Sequence, residues 1–144
     1  MSNELDVVGV GNAIVDVIAS VQEGFLVEHE IRKGGMTLVD QMEANTLAKA
    51  FGPEGRRIPG GSGANTIAGI ASFSGTTGYI GKVAQDALGK FFRKEMERHF
   101  IEFPTEPLDE GPGTARCMIA VTPDGERSMS TFLGASTEFA ESDV

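Results

Sequence analysis

Residues 59–75, PGGSGANTIAGIASFSG, place five glycines and three serines around a stretch with helical periodicity. Ala64, Ile67, Ala68 and Ala71 recur at i, i+3, i+4 and i+7, and their nearly all-small face lets a helix lie close against a sheet. A glycine-rich turn opening such a helix brings backbone up to a ligand, because a residue without Cβ tolerates both the turn and the close approach. The surrounding residue types then select the ligand. A phosphate-cradling loop needs a Lys and then Ser or Thr closing the glycine run. Here Gly60, Gly61 and Gly63 lead into Ala64, Asn65 and Thr66, so that chemistry is missing. A dinucleotide turn could be sought at Gly9 and Gly11, but Ile14 stands at the third glycine position. A β-branched run follows where a helix should begin.

Asn65 is more informative. It falls in the first helical turn, beside backbone N–H groups that lack intrahelical acceptors, and its amide offers both a donor and an acceptor. Mixed donors and acceptors suit hydroxyls better than phosphates. Asn12 and Asp16, flanking the turn after the first strand, add a second amide and a carboxylate able to accept from two vicinal hydroxyls. The alternative is that Gly60 and Gly61 only form a tight turn and that Asn65 only bonds local backbone.

The order of elements points to an α/β class. Residues 6–12 read as a buried strand, with further strands over 14–21 and 34–40. Asp40 and Glu43 have capping-box spacing ahead of Ala44, Leu47, Ala48 and Phe51, and Gly52 with Pro53 ends that helix. After the glycine-rich helix come a strand in TTGYIGKVA and a helix from Ala87 to about Phe100, capped by Asp86. Its inward face is Leu88, Phe91, Phe92, Met96 and Phe100, with Arg93 and Glu97 paired on the wet side. IEF reads as a short strand, and PDGE as the turn of a hairpin between TARCMIAVT and RSMSTFL. Alternating strands and helices in the middle imply a parallel sheet. The strands near 14–21, 36–39 and 115–132 form a separate β feature.

At 144 residues the chain suffices for one domain. Its net charge of −9 argues against nucleic acid or an anionic membrane as principal partner. One cysteine, Cys117, excludes an internal disulfide, and His29 and His99 stand too far apart to suggest a metal cluster. The apolar N-terminal run is broken by Asn12 and Asp16 and lacks a basic lead, so a signal peptide or membrane span is not expected and a cytoplasmic protein is.

GNAIVD, GGMTLVD, GGSGANTIAGIASFSGTTGYIGKVAQDALGKFF, TARCMIAVTPDGERSM and FLGAS resemble, in that order, the N-terminal half of ribokinase-like carbohydrate kinases, the PfkB family, with the adenosine-kinase-like branch nearest. Ile67, where a small residue is usual, and Ala84, where glycine often precedes a pair of aspartates, depart from the pattern. The resemblance implies a ribokinase-like fold, a partial central α/β sheet with a small β-strand lid over a sugar site. It assigns substrate contact to Asn12, Asp16, Gly60, Gly61 and Asn65, and lid-side apolar contact to Met36, Ala115, Cys117 and Ile119. ATP and Mg2+ are the cofactors expected of a full-length family enzyme, and a sugar or nucleoside its substrate.

Family members are more than twice this length, and their nucleotide site and catalytic aspartate lie in the second half. The resemblance therefore implies one incomplete ribokinase-like domain over 1–144, with the base beyond residue 144, no ATP or metal held by this chain alone and no turnover from it. Self-association through the lid or an exposed sheet edge is a further expectation. A non-catalytic sugar- or nucleoside-binding or oligomerisation module is the competing reading.

Overall fold

Strands joined through a long helical crossover can pair side by side in parallel, and those of the first sheet do. In the computed structural model, which describes residues 4–144, β1 (Val7–Val10) pairs in parallel with a central strand at Thr77–Ile80, which pairs in parallel with one at Ile101–Glu102. The second sheet has five strands. In chain order they are β2 (Ile14–Ser20), β3 (Met36–Leu38), β4 (Arg56–Gly60) and, after β5 (Thr77–Ile80) and β6 (Ile101–Glu102) of the first sheet, β7 (Ala115–Val121) and β8 (Arg127–Phe132). Their spatial order is β3-β8-β7-β2-β4. β7 and β8 form the hairpin anticipated around PDGE, and β2 lies parallel to β7 and antiparallel to β4.

Two elements escape the sequence reading. β4 contains Pro59 and ends in Gly60, which reads as turn. It is an edge strand that pairs only with β2, where a residue without N–H is tolerated. Helix α1 (Glu23–Glu28) is short, and its N-cap residue Gln22 makes no side-chain capping bond. The other helices are α2 (Gln41–Phe51), α3 (Ser62–Ser72) and α4 (Ala87–Arg98). Asp40 and Glu43 close the capping box of α2, and Asp86 caps α4 by accepting from the Gly89 N–H at 2.8 Å.

Period-two alternation in β2 sends Val15, Val17 and Ala19 to a buried face, packed with Leu26, Leu47, Phe51, Met118 and Ala120. One face of the parallel sheet is likewise closed, by Ile67 of α3 and by Phe92 and Met96 of α4. Tyr79 and Phe103 stack there with centroids 6.4 Å apart. Two details of α4 differ from expectation. Phe100 does not point inward: the helix stops at Arg98, and Phe100 follows at φ +57°, 90% exposed. Arg93 does not pair with Glu97 but donates to the Phe103 and Thr105 carbonyls at 2.7 and 2.6 Å, with its guanidinium over the Phe103 ring. Two buried carbonyls offer it more than a solvated carboxylate one turn away.

The opposite face of the parallel sheet carries Val8, Val10 and Ile80, with the two valines about half exposed. The outer edge of β1 pairs with no other strand among the described residues. No described helix is long and apolar enough to cross a membrane.

Candidate functional site

The candidate residues converge where the two sheets join, at the C-terminal ends of β1 and β4 and the N-terminus of α3. Open α/β sheets bind ligands at such carboxyl ends. Asp16 sits mid-way along β2 on the face turned away from the core. Register with β4 and β7 puts it between Ile58 and Cys117. Its carboxylate is half-buried and accepts no hydrogen bond from another described residue. Burial raises its pKa above 3.8, with the attraction of Arg127 opposing. An unpaired, partly desolvated carboxylate on an open face costs stability, which makes it a candidate for ligand contact.

Gly60 is shaped around that carboxylate. A Cβ there would lie 2.3 Å from Oδ1, 2.4 Å from Cγ and 2.5 Å from Oδ2 of Asp16. Gly60 is not in the left-handed region, so its missing side chain serves the carboxylate rather than a turn. Gly61 serves the turn: it caps α3 at φ +92°, and a Cβ would stand 2.7 Å from the Asn12 carbonyl oxygen. The two glycines thus have different reasons, and the reading in which both only make a turn accounts for Gly61 alone.

Asn12 lies in the crossing from β1 to β2, its side chain exposed and its carbonyl accepting from the Tyr79 hydroxyl at 3.0 Å. Tyr79 is completely buried, and burial pushes its pKa up to about 12, so the hydroxyl remains a donor. Asn65 is exposed in the first turn of α3, its backbone N–H donating to the Gly61 carbonyl at 3.0 Å. Cys117 is buried, and burial raises its thiol pKa, with the charge of Asp16 adding to the rise and a hydrogen bond from Thr131 opposing it.

In-register partners share a face, so the Asp16 side of the five-stranded sheet can be read across. The row through Asp16 is Ile58, Asp16, Cys117, Thr131 and Leu38. The next row outward is Arg56, Ile18, Ile119, Met129 and Met36, and Arg127 follows beyond it. Met36, Ala115, Cys117 and Ile119 therefore all lie on the face that carries Asp16. Ile18, Met129, Arg127 and Tyr79 were missed. Counting outward from the PDGE turn would have found the β8 residues, because Val121 pairs with Arg127 and Ile119 with Met129. The largest described cavity, 430 Å³ near His99 and Glu102, includes none of these residues.

The family model for pfkB family carbohydrate kinases matches residues 37–144. The chain belongs to the pfkB family. It is similar to adenosine kinase from Sinorhizobium meliloti, at 48% identity and TM-score 0.87 over 97% of this chain and 42% of that one. It is also similar to a probable sugar kinase from Rhizobium etli, at 44% identity and TM-score 0.87, again over 97% and 42% of the two chains. Among curated proteins, a probable chloroplastic fructokinase of Arabidopsis thaliana is 29% identical over 72% of this chain and 27% of its own. The chain thus spans well under half the length of these relatives. The mixed α/β architecture with its two sheets is the ribokinase-like fold of the adenosine kinase neighbours.

Proposed function

We propose that this chain forms the substrate-and-lid part of an ATP-dependent nucleoside kinase. The single observation that carries the proposal is the Asp16 carboxylate, unpaired and seated directly over Gly60. Two vicinal ribose hydroxyls would donate to its two oxygens, which replaces lost water with charge-assisted hydrogen bonds. Asn12, Asn65 and the backbone of Gly60 and Gly61 line the same joint and bond the remaining hydroxyls. The row Ile18, Ile119, Met129 and Met36 offers apolar contact to a flat base, which a free hexose would not need. In this reading the five-stranded sheet is the lid, and its closure excludes water from the accepting hydroxyl.

The phosphoryl-transfer machinery is a different matter. The glycine run lacks the lysine of a phosphate loop, and no group of three His, Cys, Asp or Glu side chains converges to hold a metal among the described residues. The glycine run offers no cradle for a triphosphate, so no step is assigned to ATP or Mg2+ here, and the chain alone is inactive in this account. The open edge of β1 and the apolar face of Val8, Val10 and Ile80 are where a further strand and helices complete the sheet, since parallel sheets are covered on both faces. Left uncovered, that surface favours self-association. Fusing the chain to the C-terminal portion of the Sinorhizobium meliloti adenosine kinase tests the proposal. ADP release that requires a nucleoside and is lost in Asp16→Asn supports it. A folded fusion with no nucleoside-dependent turnover refutes it.

A further inference from the structure

The two threonines at the start of β5 meet very different surroundings. Thr76 has its polar atoms spent, because its N–H and its hydroxyl both donate to Asp6 Oδ2, at 2.8 and 2.9 Å. Thr77 is 1% exposed, and its hydroxyl has no hydrogen-bond partner among the described residues. A buried hydroxyl without a partner costs stability, so its position calls for a reason. Strand alternation puts Thr77 on the same face as Tyr79, the face covered by α3 and α4. There it lines the 430 Å³ cavity, at the N-terminal edge of the parallel sheet and away from the joint that carries Asn12 and Gly60.

The rest of the wall selects the sign of a ligand. Glu4 and Glu102 bring two carboxylates, and no lysine or arginine lines the cavity among the described residues. Helices α3 and α4 end beside it, after Ser72 and Arg98, so the negative ends of two helix dipoles lie at its rim. α3 has no basic residue in its last turn, and Arg98 of α4 is drawn off to Glu95 at 2.8 Å. Leu5, Ala71 and Phe100 supply apolar wall. Phe100 stands at φ +57°, an uncommon conformation for an aromatic residue, which leaves its ring open to a ligand instead of packed in the core.

From these observations we infer that the cavity is a second ligand site, separate from the Asp16 joint, that takes a primary ammonium carried on a short apolar stem. An ammonium has three N–H donors. The Thr77 hydroxyl accepts one, and the Glu4 and Glu102 carboxylates accept the others in charge-assisted bonds. The stem lies along Leu5, Ala71 and Phe100, in a volume suited to a small molecule. A quaternary ammonium lacks the donors and a neutral alcohol lacks the charge, so each keeps only part of the match. The inference is independent of the nucleoside reading above.

Titration of the intact chain with n-pentylamine at pH 7, followed by two-dimensional amide NMR, tests this. Saturable shifts should be confined to residues 71–77 and 99–102. n-Pentanol and pentyltrimethylammonium should each bind about tenfold more weakly or worse. Thr77→Val keeps the shape and removes the hydroxyl. It should cost about tenfold in affinity, the loss of one charge-assisted bond, yet melt no lower than the parent, because the hydroxyl it removes is buried and unpartnered. Glu102→Gln should weaken binding by about two- to fivefold, whereas Glu54→Gln, which removes an exposed carboxylate elsewhere in the chain, should leave it unchanged. The site is overturned if the shifts spread over the acidic surface, if pentanol binds as well as the amine, or if no saturable shift develops by about 10 mM. Unchanged affinity in a folded Thr77→Val overturns it too. Should that variant fail to fold, equal effects of Glu102→Gln and Glu54→Gln would overturn it instead.

Discussion

Replacing Gly60 with alanine probes the contact that most sharply separates a ligand site from a plain turn. The added Cβ would meet Oδ1, Cγ and Oδ2 of Asp16 at 2.3, 2.4 and 2.5 Å. Carbon contacts are comfortable at about 3.5 Å, so each separation must open by roughly 1 Å. No rotation about the terminal carboxylate bond clears all three atoms, so Asp16 must leave its rotamer or β2 and β4 must part. Overpacking of this kind costs about 1–3 kcal/mol, and a central value near 2 kcal/mol lowers the melting temperature by about 4–8 °C for a chain of this size. Displacing the carboxylate also removes two charge-assisted hydrogen bonds to ligand, a loss of roughly 100-fold in affinity at about 1.5 kcal/mol each. Thermal melts of Gly60→Ala, Asp16→Ala and the double variant complete a cycle whose coupling should be about 1–2 kcal/mol. The reasoning fails if Gly60→Ala binds adenosine like the parent, or if it costs the same once the carboxylate is gone.

Gly61→Ala should destabilise by about 1–3 kcal/mol in urea melts, because φ +92° is closed to alanine, and removing the Asp16 carboxylate should not rescue it. Asp16 has a folded pKa raised by burial, so its contribution to stability is full below the unfolded pKa and is lost as pH rises through the folded value. Asp16→Asn should therefore melt higher than the parent at pH 7, while affinity for a vicinal diol in the parent falls as pH drops through that raised pKa; a lower melting temperature for the variant would contradict this. Cys117 should react slowly with a disulfide reagent near pH 8, since burial and the Asp16 charge hold its pKa above 9.0, and Asp16→Asn should move the onset of reactivity to lower pH.

Much of the fold was legible because local chemistry and tertiary context agree. Asp40 with Glu43 and Asp86 stand at capping positions, and all three perform that role. The PDGE turn sets the β7–β8 register, and with it the face that groups Cys117 and Ile119 with Asp16. β4 was hidden because Pro59 and two arginines carry no strand signal; only the neighbouring β2 makes an edge strand of them. Phe100 was misplaced because helical spacing says which face a residue occupies but not where the helix stops. Of the site, the residue types were readable, whereas the division of labour between Gly60 and Gly61 was not. That distinction depends on a carboxylate 44 positions earlier in the chain and on one backbone angle, neither of which leaves a trace in spacing.

The central claim is that Asp16 reads a vicinal diol, and calorimetric titration of the chain with adenosine and with 2′,3′-dideoxyadenosine tests it most directly. The account predicts that adenosine binds and that the dideoxy compound binds about 100-fold more weakly, as two lost charge-assisted bonds require. It also predicts that the difference disappears in Asp16→Asn. Equal affinities for the two nucleosides, or a preference for adenosine that survives Asp16→Asn, would contradict it.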